Sequence, residues 1–218
     1  MATAGELIEE ISDTVLDDRY DDDAIIKLLN KANLYVASVA FLPDLETSAT
    51  VTTLAGLSSV PLPEDFHRNL FNVSAADPIA NSGKIKLFGS VAAMVPQFRG
   101  TLDKVGTRVV AAARYRKELT YALIPETPEV LNIRYYRVPA IMETDLDEPE
   151  GIPDAFHDIL IHRVCYNLFS KIEDGTEGDK VNTKFHYGQM TSLMESLTLF
   201  IKDGMSFPDA PVVAGEFL

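Results

Sequence analysis

Apolar residues recur at helical spacing near both ends of the chain and alternate with polar ones in its middle. Leu7, Ile8, Ile11 and Val15 stand three and four positions apart, the stripe of a helix with one buried face. Ala24, Ile25, Leu28, Leu29, Ala32, Tyr35, Val36 and Val39 make a second, longer stripe. Between the two lie Asp17, Asp18, Asp21, Asp22 and Asp23. One of Asp21 to Asp23 is placed to cap the second helix, and the others favour its positive N-terminal end. The helical pattern returns at Ile152, with Pro153 suited to a first helical position. Phe156, Leu160, Val164, Leu168 and Ile172, flanked by Ile161, Cys165 and Phe169, form a face wide enough to pack on two sides. The linker from Glu173 to Gly178 breaks this helix. Val181, Phe185, Met190, Leu193, Met194, Leu197, Phe200 and Ile201 mark a last one, ended by Gly204, and the short linker predicts an antiparallel hairpin.

The middle reads differently. Residues 47–62 are rich in β-branched side chains, with a turn near Gly56 to Ser59. Further strands are predicted over 69–74, 84–88, 107–113, 118–124 and 130–137, with a short helix in Ser90 to Phe98 stopped near Pro96. Short strands with frequent turn residues predict a small antiparallel sandwich or barrel. The expected fold class is α+β: a helical bundle from the N- and C-terminal helices, an inserted antiparallel β-sandwich or barrel domain, and an extended C-terminal arm. The expected divisions are 1–46, 47–145, 146–203 and 204–218. Phe156, Leu160, Val164 and Leu168 are expected to form the bundle core against Ile25, Leu28, Tyr35 and Val36.

Composition narrows the function classes. Apolar residues are 46% of the chain, yet no run reaches the ~18–20 residues of a membrane span. The start, MATAGELIEEISDT, lacks the basic and apolar regions of a signal peptide, so secretion is not expected. A single cysteine, Cys165, excludes an intrachain disulfide and reads as a buried, inert thiol in a reducing compartment. Acidic residues outnumber basic ones 33 to 19, a net charge of -14. That argues against affinity-driven nucleic-acid binding, which needs a basic footprint. The excess serves solubility, and it is also compatible with a wall past which DNA slides without sticking.

Candidate chemistry is sparse. His157 and His162 lie five positions apart, roughly 140° around a helix, so they do not share a metal. His67 follows Asp65 beside a turn, and neither it nor His186 belongs to a HExxH pattern. Phosphate-binding GxxxxGK[ST] and GxGxxG patterns do not occur. DDRYDDD fails as a calcium loop, because Asp22 and Leu28 stand where Gly and Glu are needed. The acidic pairs Glu64-Asp65 and Glu173-Asp174 read as turn residues. No catalytic, metal or cofactor site is expected. The one positive cluster is the hairpin tip Arg114-Tyr115-Arg116-Lys117, with Arg99 and Arg108 near in sequence; it reads as a solvated tip, as a contact for an acidic neighbouring subunit or the next ring, or as a DNA contact. In the last residues Pro208 and Pro211 prevent helix, leaving Phe207, Val212, Val213, Phe217 and Leu218 apolar and in need of a partner surface.

One stretch carries more than the rest. Tyr135-Tyr136-x-x-Pro139, an acidic spacer, then Ile152-Pro153-x-x-Phe156-His157-x-x-Leu160-Ile161, together with LPEDF (62–66) after a strand, resembles the head-to-tail adaptor (connector) proteins of tailed bacteriophages, including the tail tubular proteins of short-tailed phages. The order holds over most of the chain, and only 75–106 has no counterpart. The resemblance implies a virion structural protein and no enzyme, made in the host cytoplasm and placed at the head-tail junction. It implies a ring of twelve copies whose partners are the portal protein, neighbouring adaptor subunits and the next tail component, a nozzle or tail tube. DNA would pass through the channel without sequence-specific binding. Portal docking then falls to Phe207, Val212, Val213, Phe217 and Leu218, and the downstream contact to Arg114, Tyr115, Arg116 and Lys117. Two other readings stay open: a non-catalytic β-sandwich binding module on a helical oligomerisation base, and an enzyme with an unrecognised acidic site.

Overall fold

In a computed structural model, residues 2–17, 19–77, 85–100, 104–174 and 180–205 are described. The chain divides into two compact units, one of residues 1–44 with 139–218 and one of residues 45–138.

The first unit is helical. Helix α1 (Ala4–Val15) starts in a reciprocal cap: Glu6 N–H donates to Thr3 Oγ1, and Thr3 N–H donates to the Glu6 carboxylate at 3.0 Å. These bonds satisfy donors that a helix start leaves orphaned. Helix α2 (Asp22–Val39) is capped by Asp21, whose carboxylate accepts from Ala24 N–H at 2.8 Å. The other two helices of this unit come late in the chain, Asp158–Ile172 and Val181–Met205. The first of them packs against α1, α2 and the last helix. Its wide apolar face explains this central place, since Ile159, Leu160, Ile161, Val164, Cys165, Leu168 and Phe169 are all buried.

Four sequence expectations shift here. The buried face of α2 is centred on Ile25, Leu29, Ala32, Val36 and Ala37, while Leu28 and Tyr35 are only half-buried and Val39 is exposed. The periodicity marked a stripe wider than the surface that α2 actually loses to its neighbours. Phe156 is half-buried and lies against Phe200, ring centroids 5.4 Å apart, outside the core that holds Leu160, Val164 and Leu168. Pro153 precedes a short 3-10 turn, Asp154–Phe156, rather than opening the long helix. The last helix passes through Gly204 to Met205, because space around Gly204 is open and its φ is not left-handed.

The second unit holds the sheets. Its strands are β1 (Glu46–Thr52), β2 (Ser59–Pro61), β3 (Phe66–Ala75), β4 (Lys86–Phe88), β5 (Val105–Gly106), β6 (Ala111–Tyr115), β7 (Glu118–Ala122), β8 (Ile124–Pro125) and β9 (Val130–Arg137). A short helix, α3 (Val91–Met94), follows β4, and the two late helices of the first unit are accordingly α4 and α5. Strand β9 runs between β1 and β3, antiparallel to both. A four-stranded sheet has the order β2-β7-β6-β4, and β5 pairs with β8. Two pairings, β4 with β6 and β5 with β8, are parallel, so the sheets are not purely antiparallel as the strand pattern predicted. Pairs of two or three residues leave too little alternation to reveal their direction. No barrel closes among the described residues.

The period-2 alternation of strands sorts this unit into layers. Val51, Leu131, Ile133 and Tyr135 from the three-stranded sheet share one core with Ala112, Leu119 and Tyr121 from the four-stranded sheet. On the opposite face of β6 and β7, Ala111, Ala113 and Ala122 pack with Phe88 and Met94 beside α3. Those alanines are small enough for a helix to approach the sheet closely.

Candidate functional site

Two of the motifs singled out in the sequence, LPEDF and Tyr135-Tyr136, meet in space as a structural fastener. In LPEDF, the Asp65 carboxylate accepts a 2.6 Å hydrogen bond from Tyr135 Oη, and the Phe66 ring stacks on Tyr135 at 5.4 Å. The Asp65 carbonyl accepts from Val138 N–H at 2.9 Å. Burial, reinforced by the Asp65 carboxylate, pushes the Tyr135 phenol above its ordinary range. Tyr136 is fully buried on the other face, with the Arg68 guanidinium 4.8 Å from its ring centroid. Sequence positions 70 apart are thus clamped by the register of β3 on β9. The third motif works locally: His157 is buried, its Nε2 3.0 Å from the Ile152 carbonyl, and its own carbonyl accepts from Leu160 N–H.

The other titratable candidates are also absorbed by the fold. Glu173 accepts from Asn182 N–H, Thr183 N–H and Thr183 Oγ1, the last at 2.6 Å, so it caps the start of α5. Those bonds, the Thr183 hydroxyl first, hold its carboxyl below the usual range. Asp174 pairs with Lys180 at 3.3 Å. His67 lies beside Tyr136, and burial lowers its pKa. Burial pushes the Cys165 thiol up to about 12, which leaves it protonated. Among the described residues, no group of three or more His, Cys, Asp or Glu is arranged to hold a metal ion.

One pair escaped sequence reasoning. His162 and His186 meet Nδ1 to Nδ1 at 3.0 Å between α4 and α5, with Phe169 stacked on His186 at 5.3 Å. Burial lowers both pKa values, and His162 lowers that of His186 further. Only the hairpin geometry of α4 and α5 brings positions 24 apart together.

What remains open to partners is surface. Strands β6 and β7 meet in a two-residue turn, Arg116-Lys117, with Arg116 at φ 56° and Tyr115 opposite Glu118. Arg114, Tyr115, Arg116 and Lys117 are all exposed. Arg114 Nε donates to the Arg116 carbonyl at 2.9 Å and its guanidinium lies 5.0 Å from the Phe66 ring centroid, which holds the tip in shape. Arg108 does not join this cluster. It sits at the far end of β6, in a shallow cleft with Asp77, Pro128 and Glu129. Phe207, Val212, Val213, Phe217 and Leu218 lie outside the described residues.

A second surface is apolar. Tyr35 and Val39 of α2 face Tyr187, Met190, Met194 and Leu199 of α5 across an open groove of about 500 Å³. One of its lining residues, Tyr35, is held by Arg163, whose guanidinium lies 4.0 Å from the ring centroid.

Charge separates the units. Residues 1–44 and 139–218 carry 25 Asp and Glu against 8 Lys and Arg, a net -17, whereas residues 45–138 carry 8 against 11, a net +3. The whole excess of acid therefore belongs to the helical unit.

This arrangement of terminal helices, central sheets and clamped motifs coincides with a family match that spans residues 2–212, to the SU10 adaptor protein family. The chain belongs to that family. It is therefore a phage adaptor protein with a structural role between head and tail, interacting there with other head and tail components of the virion. No curated protein matches the chain. Within the described residues no helix is long and apolar enough to cross a membrane.

Proposed function

We propose that the protein assembles as a ring of twelve below the portal, joins capsid to tail, and keeps an axial channel open for DNA. The family match over nearly the whole chain carries this reading. No covalent step is involved: attachment comes from complementary surfaces. The C-terminal residues Phe207, Val212, Val213, Phe217 and Leu218 dock on the portal, and the tip Arg114, Tyr115, Arg116 and Lys117 contacts the next tail component or a neighbouring subunit. A basic tip on a unit of net +3, in a chain of net -14, is suited to an acidic partner. Carboxylates of the helical unit line the channel, where like charge keeps the phosphates from adhering.

Each docking arm is short, so one alone binds weakly, and ring symmetry repeats the contact until attachment is firm. Imaging of the purified protein mixed with its portal tests the reading directly. A variant ending at Met205 is expected to keep its melting temperature and lose portal attachment. Normal docking by that variant would remove the portal role of residues 206–218. A mapped potential showing a basic lumen would remove the sliding-channel role.

A further inference from the structure

The acidic spacer that follows Pro139 is a built loop with two apolar side chains turned outward. Ile141 is 72% exposed and Leu146 84% exposed. Neither exposure comes from slack backbone. Asn30 Nδ2 donates to the Met142 carbonyl and Met142 N–H donates back to Asn30 Oδ1, both at 2.9 Å. Ala4 N–H and Gly5 N–H, orphan donors at the start of α1, donate to the carbonyls of Asp147 and Asp145 at 2.7 and 2.9 Å. Gly5 is needed there, because a Cβ would meet Asp145 Cβ at 3.0 Å. The Asp147 carboxylate accepts from Glu143 and Thr144 N–H, each at 2.7 Å. The loop is tied at both ends and across its middle, so holding Leu146 outward costs little ordering entropy on binding.

The groove between α2 and α5 is the matching concavity on the same unit, and it shares no residue with the loop. Its floor and walls are apolar apart from Glu195 and two threonines. Exposed lysines flank it at helical spacing: Lys31 is one turn before Tyr35, and Lys202 is one turn after Leu199. The loop carries exposed Glu143, Asp145 and Glu148 around its apolar residues. Apolar meets apolar, and the acids of the loop are matched by the two flanking lysines, with Glu195 the one acid among the described residues of the groove lining.

We infer that the groove between α2 and α5 of one copy receives the loop at Ile141 and Leu146 of a second copy. Two different patches on one unit make a head-to-tail contact, which propagates around an axis and closes into a ring when the rotation permits. The choice of a second copy as occupant rests on the ring reading above, for which it names the subunit contact.

The test leaves both apolar residues of the loop in place. Full-length Glu148→Cys and full-length Thr198→Cys are mixed, alone and with the portal, and treated with a short bis-maleimide. Cross-linked dimers are expected several-fold above a control pair of Glu148→Cys with Glu9→Cys. Adding Leu146→Asp should abolish the excess while the melting temperature stays unchanged, since Leu146 is exposed. Linkage no higher than control overturns the inference, as does linkage that survives Leu146→Asp. A Thr198→Cys, Phe217→Cys double variant that links within one chain assigns the groove to the C-terminal segment and also overturns it. Imaging of wild-type assemblies separates the two readings: rings without this cross-link leave the ring standing and the contact wrong, whereas the cross-link without closed rings does the reverse.

Discussion

The helical unit and the β unit reach stability by different routes. The helical unit gathers three helices, α1, α2 and α5, around α4, holds a net charge of -17, and leaves much apolar surface on α5 uncovered. Val181, Phe185, Tyr187, Leu199 and Phe200 are each more than half exposed. The β unit is near charge balance, closes its core between two sheets, and pins distant motifs together through Asp65 and Tyr135. In a monomer, uncovered apolar surface combined with strong like charge is unfavourable on both counts. An assembling subunit can hold that combination, because charge limits premature association and the apolar surface is covered later. The helical unit thus carries the longer uncovered apolar stretch, on α5, and the β unit the tighter cross-strand fastening.

The largest test of this contrast is in the helical core. Leu160→Ala removes a fully buried side chain and is expected to cost ~2–5 kcal/mol in chemical denaturation. A loss under about 1 kcal/mol, well below that range, would deny α4 its central place. Leu29→Ala should cost clearly more than Leu28→Ala, two positions that hydrophobicity alone ranks equally.

Acid should act next, through His162 and His186. Their folded pKa values lie below the ordinary value, so both are neutral in the native bundle. The unfolded chain takes up protons first as pH falls below about 6.5, and stability is lost from there down through the lowered folded values. Glu173, whose carboxyl is held below the usual range, loses its stabilisation in the same direction, but below the histidine range. The informative quantity is therefore the difference from His186→Phe, whose melting temperature should fall less across the histidine range. Equal pH dependence in the two proteins would show that the pair carries no linkage.

The β unit offers a smaller, cleaner perturbation. Tyr135→Phe deletes the donor to Asp65 and is expected to cost on the order of 1–3 kcal/mol, measured by urea denaturation. It should leave the acid response unchanged. Salt is the smallest lever. Moderate sodium chloride should raise the melting temperature slightly by screening the surplus carboxylates, and neutralising substitutions at Asp22 and Asp23 should diminish that gain. Asp21 must be spared when caps are to be preserved, since it holds the start of α2.

Much of this was legible in residue order. Periodicity alone revealed α1, α2, α4 and α5 and the bounds of β9, and spacing showed the family motifs, because helix stripes and strand alternation are local properties. A cap from among Asp21 to Asp23 and a hairpin tip within Arg114 to Lys117 were legible for the same reason, but that Asp21 is the cap and that Arg114 and Tyr115 stay in β6 were not. Other features depended on packing. Leu28 and Leu29 are equivalent in pattern, and only the packing of α2 in the bundle decides which is buried. The parallel pairings of β4 and β5 are too short to leave an alternating signal. The bonds from Tyr135 to Asp65 and from His162 to His186 join positions that the fold brings together. The groove beside α5 is likewise no property of α5 itself: that helix is apolar over a wide arc, and which part of the arc stays open follows from where α2 and α4 end their cover. Sequence determined which surfaces each helix could bury, and tertiary packing decided which of them it left for a partner.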